Sequence, residues 1–200
     1  MRREMGEHMV SAVILAAGES SRLGRPKQLV QFDGTTLIAR AIETALASRC
    51  RDVTVVIGAH AEIIRPEAAR YNVRIVDNAA WKEGKSSSIR AAISVASDRA
   101  AGILFMTCDQ PYLTTEILDE LITAFESSND APVACGYGGT VGIPAIIPRR
   151  LFPQLRELRS DDGARAILQA VRDEVIPVAW ADGSLDIDSV EDVRQLTGDR

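Results

Sequence analysis

Four near-continuous apolar runs, VSAVILAA (10–17), DVTVVIG (52–58), VRIVDN (73–78) and GILFMTCD (102–109), alternate with helix-like, often Ala-rich stretches at 35–49, 61–70, 87–98 and 114–127. A strand buried on both faces shows no polar alternation, so such runs indicate parallel strands covered by helices above and below. Right-handed βαβ units follow, and with them a three-layer, Rossmann-like α/β fold around a mostly parallel central sheet. After residue 130 the rhythm changes. APVACGYGG and TVGIPAIIP predict two antiparallel strands joined at Gly138 and Gly139, a small hairpin insertion, and LFPQLREL and ARAILQAV predict helices. A strand at 174–179, a short strand at 184–188 and a helix at 189–196 close the chain. Nothing linker-like or repetitive separates the two parts. The expectation is one domain over 10–200 behind a loose tail at 1–9, a length that one core can serve.

A net charge of -5 argues against a nucleic-acid binder, although Arg22, Arg25 and Lys27 form a local cationic cluster suited to a small anion. The apolar run behind the charged start is about nine residues long, too short for a membrane span or a signal peptide. Cys50, Cys108 and Cys135 are far apart, with no CxxC and no histidine spacing to complete a zinc site, and read as reduced thiols of a cytoplasmic protein.

Open α/β sheets bind ligands at the carboxyl ends of their strands, so the residues after each apolar run are the candidate site. The first such stretch is LAAGESSRLGRPK (15–27). Five residues separate Gly18 from Gly24 and Pro26 precedes Lys27, which excludes a P-loop; Pro26 also stands where a dinucleotide-binding helix should be running. A glycine turn with cations and the hydroxyls of Ser20 and Ser21 remains, able to wrap a triphosphate with backbone amides. After the fourth run, CDQP puts Asp109 where a carboxylate needs a partner or a metal. DIDSVED supplies Asp186 and Asp188, two residues apart and on one face, with Ser189 and Asp192 spaced to cap the closing helix; capping could also absorb Asp188. Ser86, Ser87 and Ser88 precede a helix, where an N-cap needs at least one of them, and Asp161 and Asp162 could cap the next. His60 and Trp81 follow the second and third runs; without partners, they read as a surface residue and a packing residue.

LAAGESSRLGRPK, NAAWKEGKSSSIRAA (78–92), MTCDQP (106–111), YGGTVGIPAIIPRRLF (137–152), SDDGARAIL (160–168) and DIDSVEDV (186–193), in that order, resemble the molybdenum-cofactor nucleotidyltransferase-like proteins and most closely the molybdenum cofactor cytidylyltransferases. The resemblance covers nearly the whole chain from residue 11. It implies a nucleotidyltransferase fold and transfer of CMP from CTP to the terminal phosphate of a molybdopterin-type acceptor, with release of pyrophosphate.

By the same resemblance, Arg22, Lys27 and Asp109 are catalytic and Leu15, Ala16, Ala17, Gly18, Ser86 and Ser87 hold the nucleotide. Asp109 and Asp188 bind Mg²⁺, with Asp186 the alternative to Asp188. Asp161, Gly163 and Arg165 fall near the acceptor. Guanylyl-transferring relatives carry LAGG where Ala17 stands here; its extra methyl narrows the approach a purine needs and favours CTP. The chain departs from its relatives at Gly142, Ile143 and Pro144, where they usually carry GHP, which bears on the acceptor. A phosphate monoester is already anionic at pH 7, so no general base is needed, in keeping with a chain of two histidines. A recipient molybdoenzyme or its chaperone is the protein partner such a product suggests. Two other readings use the same residues: transfer to a sugar or polyol phosphate, and a pterin- or quinoid-binding, oxidoreductase-like protein without nucleotidyl transfer.

Overall fold

In the computed structural model, residues 9–96 and 99–197 are described. Of the tail expected at 1–9, residues 1–8 lie outside the described residues, and the carbonyl of Met9 accepts a hydrogen bond from the Ala101 amide. The elements in chain order are β1 (Val10–Ala16), β2 (Gln31–Phe32), β3 (Thr35–Thr36), α1 (Leu37–Ala47), β4 (Val53–Ile57), α2 (Ala61–Ala68), β5 (Arg74–Asp77) and α3 (Lys85–Ser94). Then come β6 (Gly102–Thr107), α4 (Thr115–Ser127), β7 (Val133–Tyr137), β8 (Thr140–Pro148), α5 (Phe152–Glu157), α6 (Ala164–Ala170), β9 (Ile176–Ala179) and α7 (Val190–Thr197).

Seven strands form one sheet in the order β5-β4-β1-β6-β8-β7-β9, and β2 and β3 form a separate two-stranded ribbon. β5, β4, β1 and β6 are parallel, β8 runs antiparallel to β6 and β7, and β9 is parallel to β7. The hairpin expected after residue 130 is present, and it extends the main sheet. Every residue of β4 is buried, because helices cover both faces. On one side Ile38 and Ile42 of α1, Ile64 of α2, and Leu118, Leu121, Ile122 and Phe125 of α4 pack against Ile14, Val55 and Leu104. On the other, Ile89 and Ile93 of α3, Phe152 and Leu155 of α5 and Ile167 and Leu168 of α6 pack against Val56 and Phe105. The α4 positions recur at i, i+3, i+4 and i+7, one stripe of a helix, and each such buried side chain contributes about 1.5–3 kcal/mol. Thr36 accepts from the Ala39 amide at 3.2 Å and starts α1, a cap of about 1 kcal/mol. No described helix is long and apolar enough to cross a membrane.

The short strand expected at 184–188 is absent. Residues 181–184 form a 3-10 turn and 185–188 are irregular, held to the sheet by one backbone bond, Ile187 N to Asp109 O at 2.8 Å. Alternation in LDID therefore reflects one side chain packing inward, Ile187, and acids facing out.

Candidate functional site

A cleft of about 730 Å³ opens over the carboxyl ends of β1 and β6. From β1 the sheet is built outward through β4 and β5, and from β6 in the opposite direction, so the cleft lies at the topological switch point.

The loop after β1 is shaped by backbone and side-chain ties. Ser20 and Gly24 adopt positive φ, and the amides of Leu23 and Gly24 both donate to the Ser20 carbonyl. The Lys27 amide donates to Ser20 Oγ at 3.2 Å. Gln28, buried beneath the loop, donates through Nε2 to the carbonyls of Ala16 and Gly18 at 2.9 and 3.0 Å. Leu23 and Val30 pack with Leu37, Ile187 and Val193, so one small apolar cluster joins this loop to the segment that carries Asp188.

That junction brings the charges together. Lys27 Nζ bridges two carboxylates, donating to Asp109 Oδ2 and, at 2.8 Å, to Asp188 Oδ1. Arg22 Nη2 donates to Asp188 Oδ2 at 2.6 Å from the more exposed side. The Ile187–Asp109 backbone bond places Asp186 and Asp188 beside Asp109. Ser189 and Asp192 cap α7 reciprocally: Asp192 Oδ2 accepts from the Asp188 and Ser189 amides, and Ser189 Oγ accepts from the Asp192 amide. Asp188 is thus held at a helix start by its amide while its carboxylate faces the cleft.

Burial works against the Lys27 charge, but attraction and hydrogen bonds from Asp109 and then Asp188 outweigh it and hold its pKa above the ordinary lysine value. Burial alone would raise Asp188; its bonds to Lys27 and the Arg22 charge reverse this and hold it below the usual carboxylate value. Asp186 is pushed up to about 6, first by the protein around it, which weakens its hydration although solvent reaches it through the cleft, and then by Asp109 and Asp188. Cys108, next to Asp109, is pushed to about 12 by burial and by that carboxylate, so its thiol stays neutral.

An ammonium shared by two carboxylates marks a place where a cation is favoured. Among the described residues, no group of three or more His, Cys, Asp or Glu side chains forms a metal cage. A hard dication that keeps waters and takes most of its remaining oxygens from phosphates needs only one or two carboxylates, and the donor set here fits that pattern.

Of the residues expected at the nucleotide, Leu15, Ala17 and Gly18 line the cleft and Ala16 does not; Ala16 is buried and offers its carbonyl to Gln28. Ser86 and Ser87, also expected at the nucleotide, do not line the cleft. They lie inside the first turn of α3, where Ser86 Oγ accepts from Arg90 and Ser87 Oγ donates to the Gly84 carbonyl while accepting from Asn78. Helical phase turns Ser88 toward the cleft instead, with Lys85 and Gly84. The cap residue of α3 is Gly84, at φ +100, where a Cβ would drive into the backbone of Ser160. Asp161, Gly163 and Arg165 line the cleft, but the N-cap of α6 is Gly163, so neither Asp161 nor Asp162 caps it. His60 begins α2 in the left-handed conformation and does not line the cleft; nor does Arg25. Trp81, expected as a packing residue, both packs under the sheet and forms a wall of the cleft. Sequence reading passed over Gln28, Gln110 and Tyr137, which also line it. Gln28 and Gln110 stand next to Lys27 and Asp109, a signal available in the sequence; Tyr137 needed the hairpin's register.

Comparison with known proteins gives a consistent picture. The pattern for the MobA-like NTP transferase domain matches residues 12–175. The chain is 34% identical to nicotine blue oxidoreductase of Paenarthrobacter nicotinovorans, over 94% of this chain and 96% of that protein. It is 25% identical to the molybdenum cofactor cytidylyltransferase of Escherichia coli, over 92% and 93%. Among solved structures, Rv0371c of Mycobacterium tuberculosis H37Rv superposes with a TM-score of 0.83 at 29% identity, covering 95% of this chain and 98% of that one. Its complex with manganese superposes at 0.78 and 27% identity, over 94% and 97%.

Proposed function

This chain belongs to the MobA-like NTP transferase domain family, and from that premise we propose that it transfers CMP from CTP to the terminal phosphate of a molybdopterin-type acceptor. The observation that carries the proposal is the Lys27 ammonium shared by Asp109 and Asp188, with Arg22 on the outer oxygen, at the mouth of the switch-point cleft. Cations and acids in this arrangement suit a metal-bound triphosphate: the polyphosphate draws Lys27 and Arg22 off the carboxylates, and the carboxylates then face the metal. Asp109 and Asp188 are the residues that would hold Mg²⁺, which when bound would supply neutralisation of phosphate charge.

In the proposed reaction an acceptor phosphate oxygen forms a bond to the α-phosphorus of CTP. The bond from that phosphorus to the bridging oxygen breaks, and pyrophosphate leaves with the electron pair. Lys27 and Arg22 stabilise charge on the departing phosphates, and the loop amides around Gly18 orient the chain of phosphates. No described histidine lines the cleft, and an anionic phosphate nucleophile requires no base. Ala17 lines the cleft, and the resemblance at that position supports the smaller base; one methyl discriminates by about 1–3 kcal/mol. A recipient molybdoenzyme or its chaperone would take the product onward.

Incubation with Mg²⁺, molybdopterin and each of the four labelled nucleoside triphosphates tests the reading, which expects pyrophosphate with CTP ahead of the other three. The 34% identity to nicotine blue oxidoreductase favours a second reading, binding of a pterin or quinoid ring without nucleotidyl transfer. That reading expects ligand-dependent quenching of Trp81, which borders the cleft, and no pyrophosphate from any nucleotide.

A further inference from the structure

Gln110 directly follows Asp109 and is 6% exposed. Its Nε2 donates to two carbonyls from different parts of the chain, Ile143 on β8 and Gly183 in the turn before Asp186, each at 3.3 Å. The Ile143 carbonyl also accepts from the Tyr137 hydroxyl at 2.9 Å. Gly183 lies against Tyr137 and Trp180, so closely that a Cβ there would meet Trp180 Cε3 at 2.7 Å, and the two rings pack edge to face with centroids 6.2 Å apart. One amide therefore ties β8, the Gly183 turn and the end of β6 at a single point. Its own Oε1 is buried without a hydrogen-bond partner. What the amide contributes here is its pair of donors, which a methionine of similar volume lacks.

The cleft divides along the sheet order. Leu15, Ala17, Gly18 and Ser88 lie on the β1 and α3 side, whereas Tyr137 and Ile143 lie on the β7 and β8 side, with Asp109 between. This inference rests on the nucleotidyl-transfer reading above and adds to it that the nucleotide occupies the first half and the acceptor the second. We propose that Gln110 is a positioning residue that fixes the Ile143–Tyr137 wall relative to Asp109 and thereby sets where the acceptor's phosphate meets the α-phosphorus. Besides the two carbonyls it hydrogen-bonds Tyr137 and Asp186, so it braces the wall from a position beside the acidic cluster.

The test compares wild type with Gln110→Met and Gln110→Glu in the full chain. Steady-state kinetics vary CTP and molybdopterin independently, and Mn²⁺ binding in the presence of CTP is followed by electron paramagnetic resonance. Loss of both donors in Gln110→Met raises the acceptor KM about tenfold, while the KM for CTP and the Mn²⁺ affinity stay within about twofold. Gln110→Glu sets a carboxylate against two carbonyls and shifts the acceptor KM further in the same direction. An unchanged acceptor KM, or equal rises in both KM values, overturns the positioning role while leaving the transfer reading intact. A wild-type protein that releases no pyrophosphate from CTP and molybdopterin overturns both.

Discussion

Lys27 is the residue on which the charge arrangement turns, because it meets both Asp109 and Asp188. Lys27→Ala is expected to lower kcat/KM about 10²- to 10³-fold in the pyrophosphate-release assay, the usual scale for one electrostatic contact to a developing charge. Asp109→Asn should reduce activity comparably and also abolish Mn²⁺ binding. Activity within twofold of wild type in either variant would contradict the assigned roles. Asp186 makes a separate prediction about stability. Its folded-state pKa of about 6 lies above that of an unfolded aspartate, about 3.9, so the native state binds the proton more tightly. Its contribution to stability is full below about pH 4 and is lost as pH rises through 6. In EDTA, Asp186→Asn should therefore raise Tm at pH 8 more than at pH 4.5; equal shifts at both would show that burial and the neighbouring carboxylates do not govern it.

At the level of elements, the loop after β1 is held by packing as well as by hydrogen bonds. Leu23, 5% exposed, joins it to Ile187 and Val193. Leu23→Ala should cost about 2–4 kcal/mol and raise the KM for CTP, because the cation loop and the Asp188 segment lose their shared anchor. Calorimetry alongside kinetics separates the two effects. In α3, Ser88→Ala should weaken CTP binding, whereas Ser86→Ala, which leaves Arg90 short of a partner, should cost about 1 kcal/mol of stability and little affinity. This pair also shows what the sequence could and could not convey. β1, β4 and β6 were legible because doubly covered strands leave long apolar runs, and the edge strand β5 from its shorter apolar pair, Ile75 and Val76. The serine that faces the cleft depends on helical phase, set by Gly84 against the Ser160 backbone, a contact between distant parts of the chain. The LDID segment misleads for a similar reason: its alternation resembles a strand, but Leu185 bonds only within its own turn, to Asp182, and Ile187 bonds to Asp109 just past β6, so no strand ladder forms.

Across the whole molecule, the sheet order explains why residues as far apart as Arg22 and Asp188, 166 positions, lie together. β1 and β6 are neighbours in the sheet, so the loops after them share one cleft, and the chain's return through β9 and the 181–184 turn delivers Asp188 to the same point. Asp109 and the opening loop were readable as site residues from their position after apolar runs. Their convergence with Asp188 through Lys27 and Arg22 required the tertiary structure, as did the tie that Gln110 makes to β8. We propose that these groups serve transfer of CMP to a phosphate acceptor. It is tested most directly by supplying the purified protein with Mg²⁺, α-labelled CTP and molybdopterin and measuring labelled product and pyrophosphate together. Equal molar amounts of both are expected, dependent on Lys27 and Asp109; absence of pyrophosphate with CTP, or its release without labelled acceptor, would rule out the transfer.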